Sequence, residues 1–450
     1  MNKSYDLIVI GSGSGGSVSA GKARNEGWSV AVIDSHPFGG TCANRGCDPK
    51  KVLVGAAELI DWNTRMQDHG IVEATSINWS LLMKFKRTFT DSVPENKEKS
   101  FHNKGIDTYH GKAAFTGEKE ITVDNNVLTG KFILIASGAE PTPLSIEGEE
   151  FVKYSDDFLE FDELPKKIVF IGGGFISFEF AHIAARAGAE VHIIHRSEKL
   201  LKGFDQDLVN LLIKKSEEIG ITIHLETTIS KIEKTSENLL LTLNNKGNVS
   251  SSLTASSVIH GAGRIPAIKG LDLDKGNVKF EKEGITVNQY LQSISNPAVY
   301  AAGDVSATIG APLTPLAGME SHIVAANILN GNHKTPEYVA IPSTVFTIPK
   351  LSAVGMSEDE AKKLDRNIKV NYFDTSQWFT YRRTNEKYAA VKVIIDEDSD
   401  LILGAHLLSG VSDELINHFA TAIRQKTTTA NLKKMIFSYP TAASDISYMI

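Results

Sequence analysis

The sequence predicts an α/β fold: two doubly wound βαβ domains of the Rossmann-like type, and a C-terminal α+β domain. Three observations predict it. A β-strand, glycine-rich turn, helix and second strand occur twice in the chain, in the same register. Each glycine-rich turn follows a short β-branched run, as in a parallel sheet. In about the last hundred residues the pattern changes to alternating strands and a helix, which favours a separate domain. A length of 450 residues fits about three domains.

The composition is that of a globular protein, with 42% apolar and 22% charged residues. Its 47 basic and 54 acidic residues give a net charge of −7 and form no long basic run, so we expect no nucleic-acid partner. The apolar stretches are far shorter than the roughly 18–20 residues of a membrane span. No basic segment precedes the first of them, so we expect a cytoplasmic protein without membrane association. These stretches are Leu7–Ile10, Phe132–Ala136 and Ile168–Ile171.

The repeat joins Asp6–Asp34 to Lys167–Arg196 without a gap. Superposition places Gly11 on Gly172, and Gly13 falls on Gly174. The helix of each unit is rich in alanine and ends at glycine, which is typical of a right-handed βαβ crossover.

Weaker patterns order the rest of the chain. They predict helices within Lys50–Lys104, strands up to Ile135, a boundary at Pro141–Pro143, a buried strand at Val299–Asp304, a helix ending near Ile328, a linker and entry strand over Gly331–Pro349, strands at Lys387–Ile395 and Leu401–Leu408, and a helix over Asp413–Arg424. The resulting domains are 1–148 (first βαβ domain, first part), 149–265 (second βαβ domain), 266–335 (first βαβ or central domain, second part) and 336–450 (C-terminal domain).

The glycine-rich turns predict two nucleotide sites, because glycines let the backbone approach a pyrophosphate at a helix N-terminus. The alternative is two tight turns without a ligand. In the first unit, Asp34 at the end of the second strand suits the ribose of FAD or NAD. In the second unit His195 and Arg196 stand there, which suits the 2′-phosphate of NADPH, unless Arg196 is only a solvated cation. The predicted sites are Gly11, Gly13, Gly16 and Asp34 for the first, and Gly172, Gly174, Ser177, Arg196 and Lys202 for the second.

Only two cysteines occur, Cys42 and Cys47. Pro49 is a candidate first residue of a helix, so both sulfurs would lie at or before a helix N-terminus, where the dipole lowers a thiol pKa. A zinc site is disfavoured because no second pair of ligands lies nearby, and we predict no metal. The alternatives are a reactive pair and two inert, buried thiols.

The run from Gly39 to Lys50, GGTCANRGCDPK, resembles the motif of the FAD-dependent pyridine nucleotide-disulfide oxidoreductases, which include glutathione reductase, dihydrolipoyl dehydrogenase and mercuric reductase. The resemblance covers essentially the whole chain. It implies that 1–148 and 266–335 are the two parts of an FAD-binding (and central) domain, 149–265 an NAD(P)-binding domain and 336–450 a dimerisation domain. It implies a homodimer that passes electrons from NADPH through FAD to a Cys42–Cys47 disulfide and on to a small substrate. Cys42 would be the interchange thiol and Cys47 the thiol facing the flavin. By the same resemblance, Thr41, Gly138 and Asp304 would bind FAD, Gly263 and Phe175 would serve the nicotinamide nucleotide, and Lys50 would lie near the flavin and pair with Glu179.

The sequence departs from this family near its C-terminus. Tyr439 stands where the disulfide reductases carry a histidine, and Ser444 replaces the glutamate that accompanies it. A tyrosine hydroxyl can donate a proton but is a poor base at neutral pH, so Tyr439 is either a proton donor or a spacer. Other departures make glutathione a doubtful substrate: Gly21 and His322 replace arginines, and the charged residues Arg45 and Asp48 flank Cys47.

We therefore expect an NADPH-dependent disulfide reductase with a role in cell redox homeostasis. Two alternatives remain open: a reductase of a small non-disulfide oxidant, such as a quinone or a hypohalous-type species, and a redox-sensing flavoprotein.

Overall fold

The computed structural model describes residues 2–246 and 250–450. Its strands, in chain order, are β1 (Asn2–Ile10), β2 (Val30–Asp34), β3 (Asp107–His110), β4 (Ala113–Gly117), β5 (Glu120–Val123), β6 (Asn126–Ile135), β7 (Ala139–Pro141), β8 (Lys167–Ile171), β9 (Glu190–Ile194), β10 (Ile221–His224), β11 (Thr227–Lys234), β12 (Leu239–Asn245), β13 (Ser250–Ala255), β14 (Ser257–His260), β15 (Arg264–Pro266), β16 (Phe280–Glu281), β17 (Gly284–Ile285), β18 (Val299–Ala301), β19 (Ser343–Val345), β20 (Lys350–Gly355), β21 (Ile368–Asp374), β22 (Ala390–Asp396) and β23 (Leu401–Ser409).

The α-helices are α1 (Ser14–Asn25), α2 (Gly40–Arg45), α3 (Cys47–Met66), α4 (Trp79–Thr90), α5 (Val93–Asn103), α6 (Ser155–Phe158), α7 (Phe175–Arg186), α8 (Gln206–Glu218), α9 (Thr314–Asn330), α10 (Glu358–Ala361), α11 (Phe379–Arg382), α12 (Ser412–Arg424), α13 (Thr429–Leu432) and α14 (Ile446–Met449). Short 3₁₀ helices cover Glu149–Phe151 and Ala442–Asp445. None of the helices in the described ranges combines the length and the apolar character needed to cross a membrane.

The chain divides into two compact units. Unit 1 comprises Met1–Lys50, Lys84–Pro143 and Gly263–Tyr338, and unit 2 comprises Lys51–Met83, Leu144–Ala262 and Val339–Ile450. Each unit contains one copy of the βαβ repeat. The division after Pro143 falls at the boundary that the prolines predict, whereas the finer four-part domain division stays a prediction.

Unit 1 is built on a sheet with the strand order β3-β2-β1-β6-β5-β4, and β18 also pairs with β6. The pairs among β3, β2, β1, β6 and β18 are parallel, which confirms the predicted βαβ unit and the predicted strand near residue 300. The strands β1, β2, β6 and β18 supply buried residues to both faces of this part, as in doubly wound sheets, whereas β3 is partly exposed. Their carboxyl ends therefore share one edge, where ligands of such sheets bind.

Unit 2 contains a parallel sheet, β10-β9-β8-β14, and an antiparallel sheet, β19-β20-β23-β22-β21. The parallel sheet confirms the βαβ repeat predicted for this part of the chain. The antiparallel sheet confirms the change of pattern in the C-terminal region, where the predicted strands correspond to β22 and β23 and the predicted helix to α12. One face of the antiparallel sheet packs against α12, whose apolar side chains include Leu415, Ile416 and Phe419.

Candidate active site

The glycine-rich turn of unit 1 leaves room for backbone alone. Gly11 has φ +106°, and a Cβ there would lie 2.2 Å from the carbonyl oxygen of Ala136. A Cβ at Gly16 would lie 2.1 Å from the carbonyl oxygen of Gly11, and one at Gly40 would lie 2.4 Å from Cα of Gly13. Helix α1 begins directly after Gly13, so its N-terminal N–H groups face this turn. The geometry fits a pyrophosphate cradle.

Asp34, at the end of β2, forms hydrogen bonds with the same turn. Its Oδ2 accepts hydrogen bonds from the backbone N–H of Ser12 at 2.8 Å and from the Ser12 hydroxyl at 2.6 Å. Its Oδ1 accepts from the backbone N–H of His36 at 2.9 Å. Beyond this carboxylate lies an open cavity of about 490 Å³, a size that suits part of a nucleotide. Its lining comprises Ser35, His36, Pro37, Phe38, Pro94, Glu95, Glu98 and His110.

The turn of unit 2 repeats the backbone geometry. Gly172 has φ +107°, and a Cβ there would lie 2.3 Å from the carbonyl oxygen of Gly261. Helix α7 begins at Phe175 directly after Gly174, and the Phe175 side chain is 52% exposed. Ser177, at the position of the third glycine, is fully buried, and its hydroxyl has no hydrogen-bond partner among the described residues. A Cβ at Gly261 would lie 2.1 Å from the Ser177 hydroxyl oxygen, so this small side chain packs closely against the backbone just after β14.

The end of β9 carries a different charge from the end of β2. His195 Nδ1 accepts a hydrogen bond from the backbone N–H of Gly173 at 3.0 Å, and its Nε2–H donates to the carbonyl oxygen of Lys199 at 3.1 Å. Burial lowers the pKa of His195, and the nearby cations of Lys202 and Arg196 lower it further. The imidazole is therefore neutral at neutral pH. Arg196, Lys199 and Lys202 are all exposed, so their cations are accessible to an anionic ligand.

The two cysteines belong to unit 1, Cys42 in α2 and Cys47 at the start of α3, and both are free thiols. The thiol of Cys42 donates a hydrogen bond to the sulfur of Cys47, and this bond is the largest cause that lowers the pKa of Cys47 to about 6. The same bond and burial raise the pKa of Cys42. The expected lowering of a thiol pKa therefore holds in direction for Cys47, although its largest cause is the Cys42 thiol rather than the helix N-terminus. For Cys42 the expectation is wrong, because the two sulfurs share one proton and Cys42 keeps it.

The helix begins two residues earlier than predicted, at Cys47 rather than at Pro49. Pro49 still lies in the first turn, where its missing N–H removes no hydrogen bond. Cys42 lies in α2, a short helix that precedes α3. The thiols therefore lie on two helices joined at Gly46, rather than together ahead of one helix.

Two further groups act on Cys47. The ammonium of Lys50, one turn along α3, lowers the Cys47 pKa by its charge. Thr314 Oγ1 lies 3.8 Å from Cys47 Sγ and lowers the pKa of both thiols. The sequence analysis missed Thr314. Its position before Pro315 at the start of α9 could have indicated an element that begins at the site, but nothing local relates it to a cysteine 267 residues away.

Asp304 follows β18 in unit 1, and burial raises the pKa of its carboxyl group although the charge of Arg264 opposes this. The turn before it is held by Glu320, a buried residue of α9 that the sequence analysis also missed. Glu320 Oε2 accepts from the backbone N–H of Gly303 at 2.6 Å, and its Oε1 accepts from the hydroxyls of Thr308 and Tyr338. This network sets the backbone that presents Asp304.

The other residues expected at the flavin are in unit 1. Thr41 is an exposed residue of α2, and Gly138 has φ +74° with open space where a Cβ would be. Gly263, predicted for the nicotinamide nucleotide, also belongs to unit 1, where its carbonyl oxygen accepts from the backbone N–H of Thr142 at 3.1 Å. The structure therefore groups Gly263 with the unit of the first glycine-rich turn, not with Gly172.

Two expected catalytic residues belong to unit 2. Glu179 of α7 is buried, and its Oε1 accepts from the backbone N–H of Phe346 at 2.8 Å. Tyr439 is 84% exposed. Ser444, at the position of the missing glutamate, donates its hydroxyl to the carbonyl oxygen of Thr441 at 2.6 Å. The pairing of Lys50 with Glu179 stays a prediction.

One group of carboxylates in unit 2 is close enough to ligate a metal ion, formed by Asp205, Asp207 and Glu358. Lys392 Nζ lies 2.6–2.8 Å from an oxygen of each. The ammonium of Lys392 thus supplies the positive charge that this cluster needs.

Comparison with known proteins agrees with this site. The family model described as "pyridine nucleotide-disulphide oxidoreductase" matches residues 5–327, and the model of the dimerisation domain of that family matches residues 341–450. Glutathione reductase of Burkholderia cepacia is 30% identical over 443 residues, which cover 98% of this chain and 97% of that protein.

Two other similarities are informative. An uncharacterised 19.7 kDa protein in a mercuric resistance operon of Staphylococcus aureus is 62% identical over 180 residues, which are 40% of this chain and all of that protein. A solved structure, the Cu(II) complex of a mutant of the HOCl-induced flavoprotein disulfide reductase RclA from Escherichia coli, has a TM-score of 0.88 and 25% identity, and the match covers 100% of this chain and 99% of that one.

The fold, the two glycine-rich turns and the thiol pair define a flavoprotein oxidoreductase that uses FAD and a pyridine nucleotide. The chain belongs to the pyridine nucleotide-disulphide oxidoreductase family.

Proposed function

We propose that the protein is an NADPH-dependent disulfide reductase that works as a homodimer in the cytoplasm. The observation that carries the proposal is the thiol pair, in which Cys47 is poised as a thiolate beside Lys50 and Thr314 while Cys42 keeps the shared proton. When bound, FAD supplies the two-electron chemistry that links a nicotinamide hydride to a disulfide.

The chain offers a binding site for each cofactor. We assign Gly11, Gly13, Gly16 and Asp34 to the pyrophosphate and ribose of FAD, and Thr41, Gly138 and Asp304 to the rest of that cofactor. We assign Gly172, Gly174, Ser177 and Phe175 to the nicotinamide nucleotide. Arg196 and Lys202 would hold a 2′-phosphate, because both are exposed cations beside a neutral histidine.

Thiol–disulfide exchange then accounts for substrate reduction. The shared proton first passes from Cys42 to Cys47, and the resulting thiolate of Cys42 attacks one sulfur of the substrate disulfide, forms a mixed disulfide and releases the first substrate thiolate. Cys47 then loses the proton, and its thiolate attacks the Cys42 sulfur, which releases the second substrate thiolate and re-forms the Cys42–Cys47 disulfide. Each released thiolate takes up one proton. We propose the hydroxyl of Tyr439 from the second subunit as a donor, and the exposure of Tyr439 supports this role.

The second candidate function is reduction of a small non-disulfide oxidant. The replacement of the family's histidine by Tyr439 favours it, because such a substrate needs no imidazole acid. The similarity to a reductase described as HOCl-induced and solved with Cu(II) points the same way.

Air-free assays with NADPH and a panel of oxidants separate these functions. Turnover of disulfides supports the first function, turnover of small oxidants supports the second, and a single slow reduction without turnover indicates a redox sensor.

A variant tests the proton donor directly. Tyr439→Phe removes the hydroxyl and keeps the ring, so NADPH should reduce the Cys42–Cys47 disulfide at the normal rate. Substrate reduction by the dithiol should slow by about 100-fold, the lower end of general-acid effects. Stopped-flow measurement of the two half-reactions gives both rates. An unchanged second half-reaction would show that the hydroxyl has no chemical role and would favour the small-oxidant function.

A further inference from the structure

A carboxylate lies near Cys42, the thiol that attacks the substrate in the proposed function. Asp48 is the second residue of α3 and is exposed. Its Oδ1 lies 3.9 Å from the Cys42 sulfur. An acidic residue in the first turn also complements the helix dipole, but that role does not require contact with the sulfur.

The charges around the two sulfurs are unequal. The negative charge of Asp48 raises the pKa of both Cys42 and Cys47, whereas the positive charge of Lys50 lowers the pKa of Cys47. Cys47 therefore has a compensating cation, and Cys42 has a carboxylate at its side. A charged oxidant at the Cys42 sulfur is therefore within a few ångströms of the Asp48 carboxylate.

We propose that Asp48 determines substrate charge: it makes Cys42 selective for cationic and neutral oxidants and disfavours anionic ones such as glutathione disulfide. This inference rests on the proposed function, since it takes Cys42 as the thiol that meets the oxidant. A unit charge on the oxidant about 6–8 Å from the exposed carboxylate changes the rate by about 3- to 10-fold at an effective dielectric constant of about 40–80, between that of a protein surface and that of water. The effect has opposite signs for cations and anions and decreases with salt.

Charged thiol reagents measure this selectivity without turnover. In a methanethiosulfonate, the Cys42 thiolate attacks the sulfenyl sulfur, a disulfide forms, and methanesulfinate leaves with the electron pair. The FAD-loaded Cys47→Ser protein has Cys42 as its only cysteine, because the chain has two. The probes are 2-aminoethyl methanethiosulfonate (cationic), 2-sulfonatoethyl methanethiosulfonate (anionic) and methyl methanethiosulfonate (neutral). The neutral reagent corrects for any change in the thiolate fraction of Cys42.

We expect the cationic reagent to react faster than the anionic one, and Asp48→Asn to lower this ratio by about 10- to 100-fold, the square of the effect on one charge. Asp48→Glu should retain most of the ratio, because it keeps the charge. Glu26→Gln is the matched control, since it removes the same net charge from an exposed position at the end of α1. The ratio should also approach that of Asp48→Asn in about 0.5 M salt.

The proposal would be overturned if the ratio of cationic to anionic reaction rates were the same in Asp48→Asn and its parent. It would also be overturned if Glu26→Gln lowered this ratio as much as Asp48→Asn does. The intact enzyme gives a second measurement: Asp48→Asn should lower kcat/KM for cystamine, a dicationic disulfide, and raise it for glutathione disulfide. If no disulfide turns over, the proposed function fails, whereas the reagent ratio still decides the role of Asp48.

Discussion

The two glycine-rich turns have similar backbone geometry but differ in charge at the end of the strand that follows. Asp34 is a carboxylate, whereas His195 is neutral and has cationic neighbours. In unit 1, a carboxylate oxygen of Asp34 accepts the backbone N–H of Ser12. In unit 2, the imidazole Nδ1 of His195 accepts the backbone N–H of Gly173, which is the superimposed position. The turn therefore needs a hydrogen-bond acceptor at the end of the second strand, but not a charge. Since either group closes the turn, the charge at this position is available to select the ligand.

The largest effect should come from filling the turns themselves. Gly11→Ala and Gly172→Ala each place a Cβ within 2.3 Å of a carbonyl oxygen, in addition to the ~1–2 kcal/mol cost of the backbone conformation. Gly27→Ala and Gly188→Ala are matched controls, because they share the positive φ but have nothing within 4 Å of the new Cβ. Thermal unfolding should show a larger loss of Tm at Gly11 and Gly172. Equal losses within each pair would contradict the steric account of the turns.

Removal of the Asp34 carboxylate should weaken the binding of FAD. Asp34→Ala removes the partner of three protein hydrogen bonds and of the proposed ribose contacts. With two charge-assisted contacts of about 1.5–3 kcal/mol each, the Kd for FAD should rise by at least about 100-fold. Titration of the apoprotein, followed by flavin fluorescence, measures this Kd. His195→Ala should leave it unchanged, and a similar rise in both variants would mean that the two turns do not divide the cofactors as proposed.

The cations beside His195 should decide the choice of nucleotide. Arg196→Ala removes one charge-assisted contact of about 1.5–3 kcal/mol, so the KM for NADPH should rise by about 10- to 100-fold. The KM for NADH should hardly change, since NADH lacks the 2′-phosphate. Steady-state kinetics with both nucleotides measure the difference. Equal use of NADPH and NADH by the unmodified enzyme would contradict the assignment before any variant is made.

The smallest expected effect is a difference in stability between alanine substitutions at two buried serines, Ser12 and Ser177. Ser12 donates its hydroxyl to Asp34 and accepts from the backbone N–H of Gly39, whereas the Ser177 hydroxyl has no partner among the described residues. Ser12→Ala should therefore lower the free energy of unfolding by about 1–3 kcal/mol. Ser177→Ala should leave it unchanged or raise it by up to about 1 kcal/mol, because an unsatisfied buried group is removed. Denaturation of both variants, monitored separately by flavin release and by circular dichroism, checks this difference.

The sequence by itself determined the parts that depend on local pattern. Period-two and helical patterns located both βαβ units, the C-terminal strands β22 and β23 and the helix α12, because burial requires such periodicity. Glycine spacing located the turns, since the Cβ of any other residue would overlap a carbonyl oxygen there. The GGTCxNxGCxPxK motif was specific enough to indicate the family that comparison confirms.

Only the tertiary structure decided the pKa values of the two thiols and the conformation of the turn that carries Asp304. The division of one proton between Cys42 and Cys47 depends on the distances among their sulfurs, Asp48 and Thr314, and α9 brings Thr314 to Cys47 from a distant part of the chain. Glu320 acts on the Gly303–Asp304 turn only because α9 packs beside β18. Patterns along the chain report which face of an element is buried. Electrostatic tuning depends on distances of a few ångströms between elements far apart in sequence, and the folded backbone alone sets those distances.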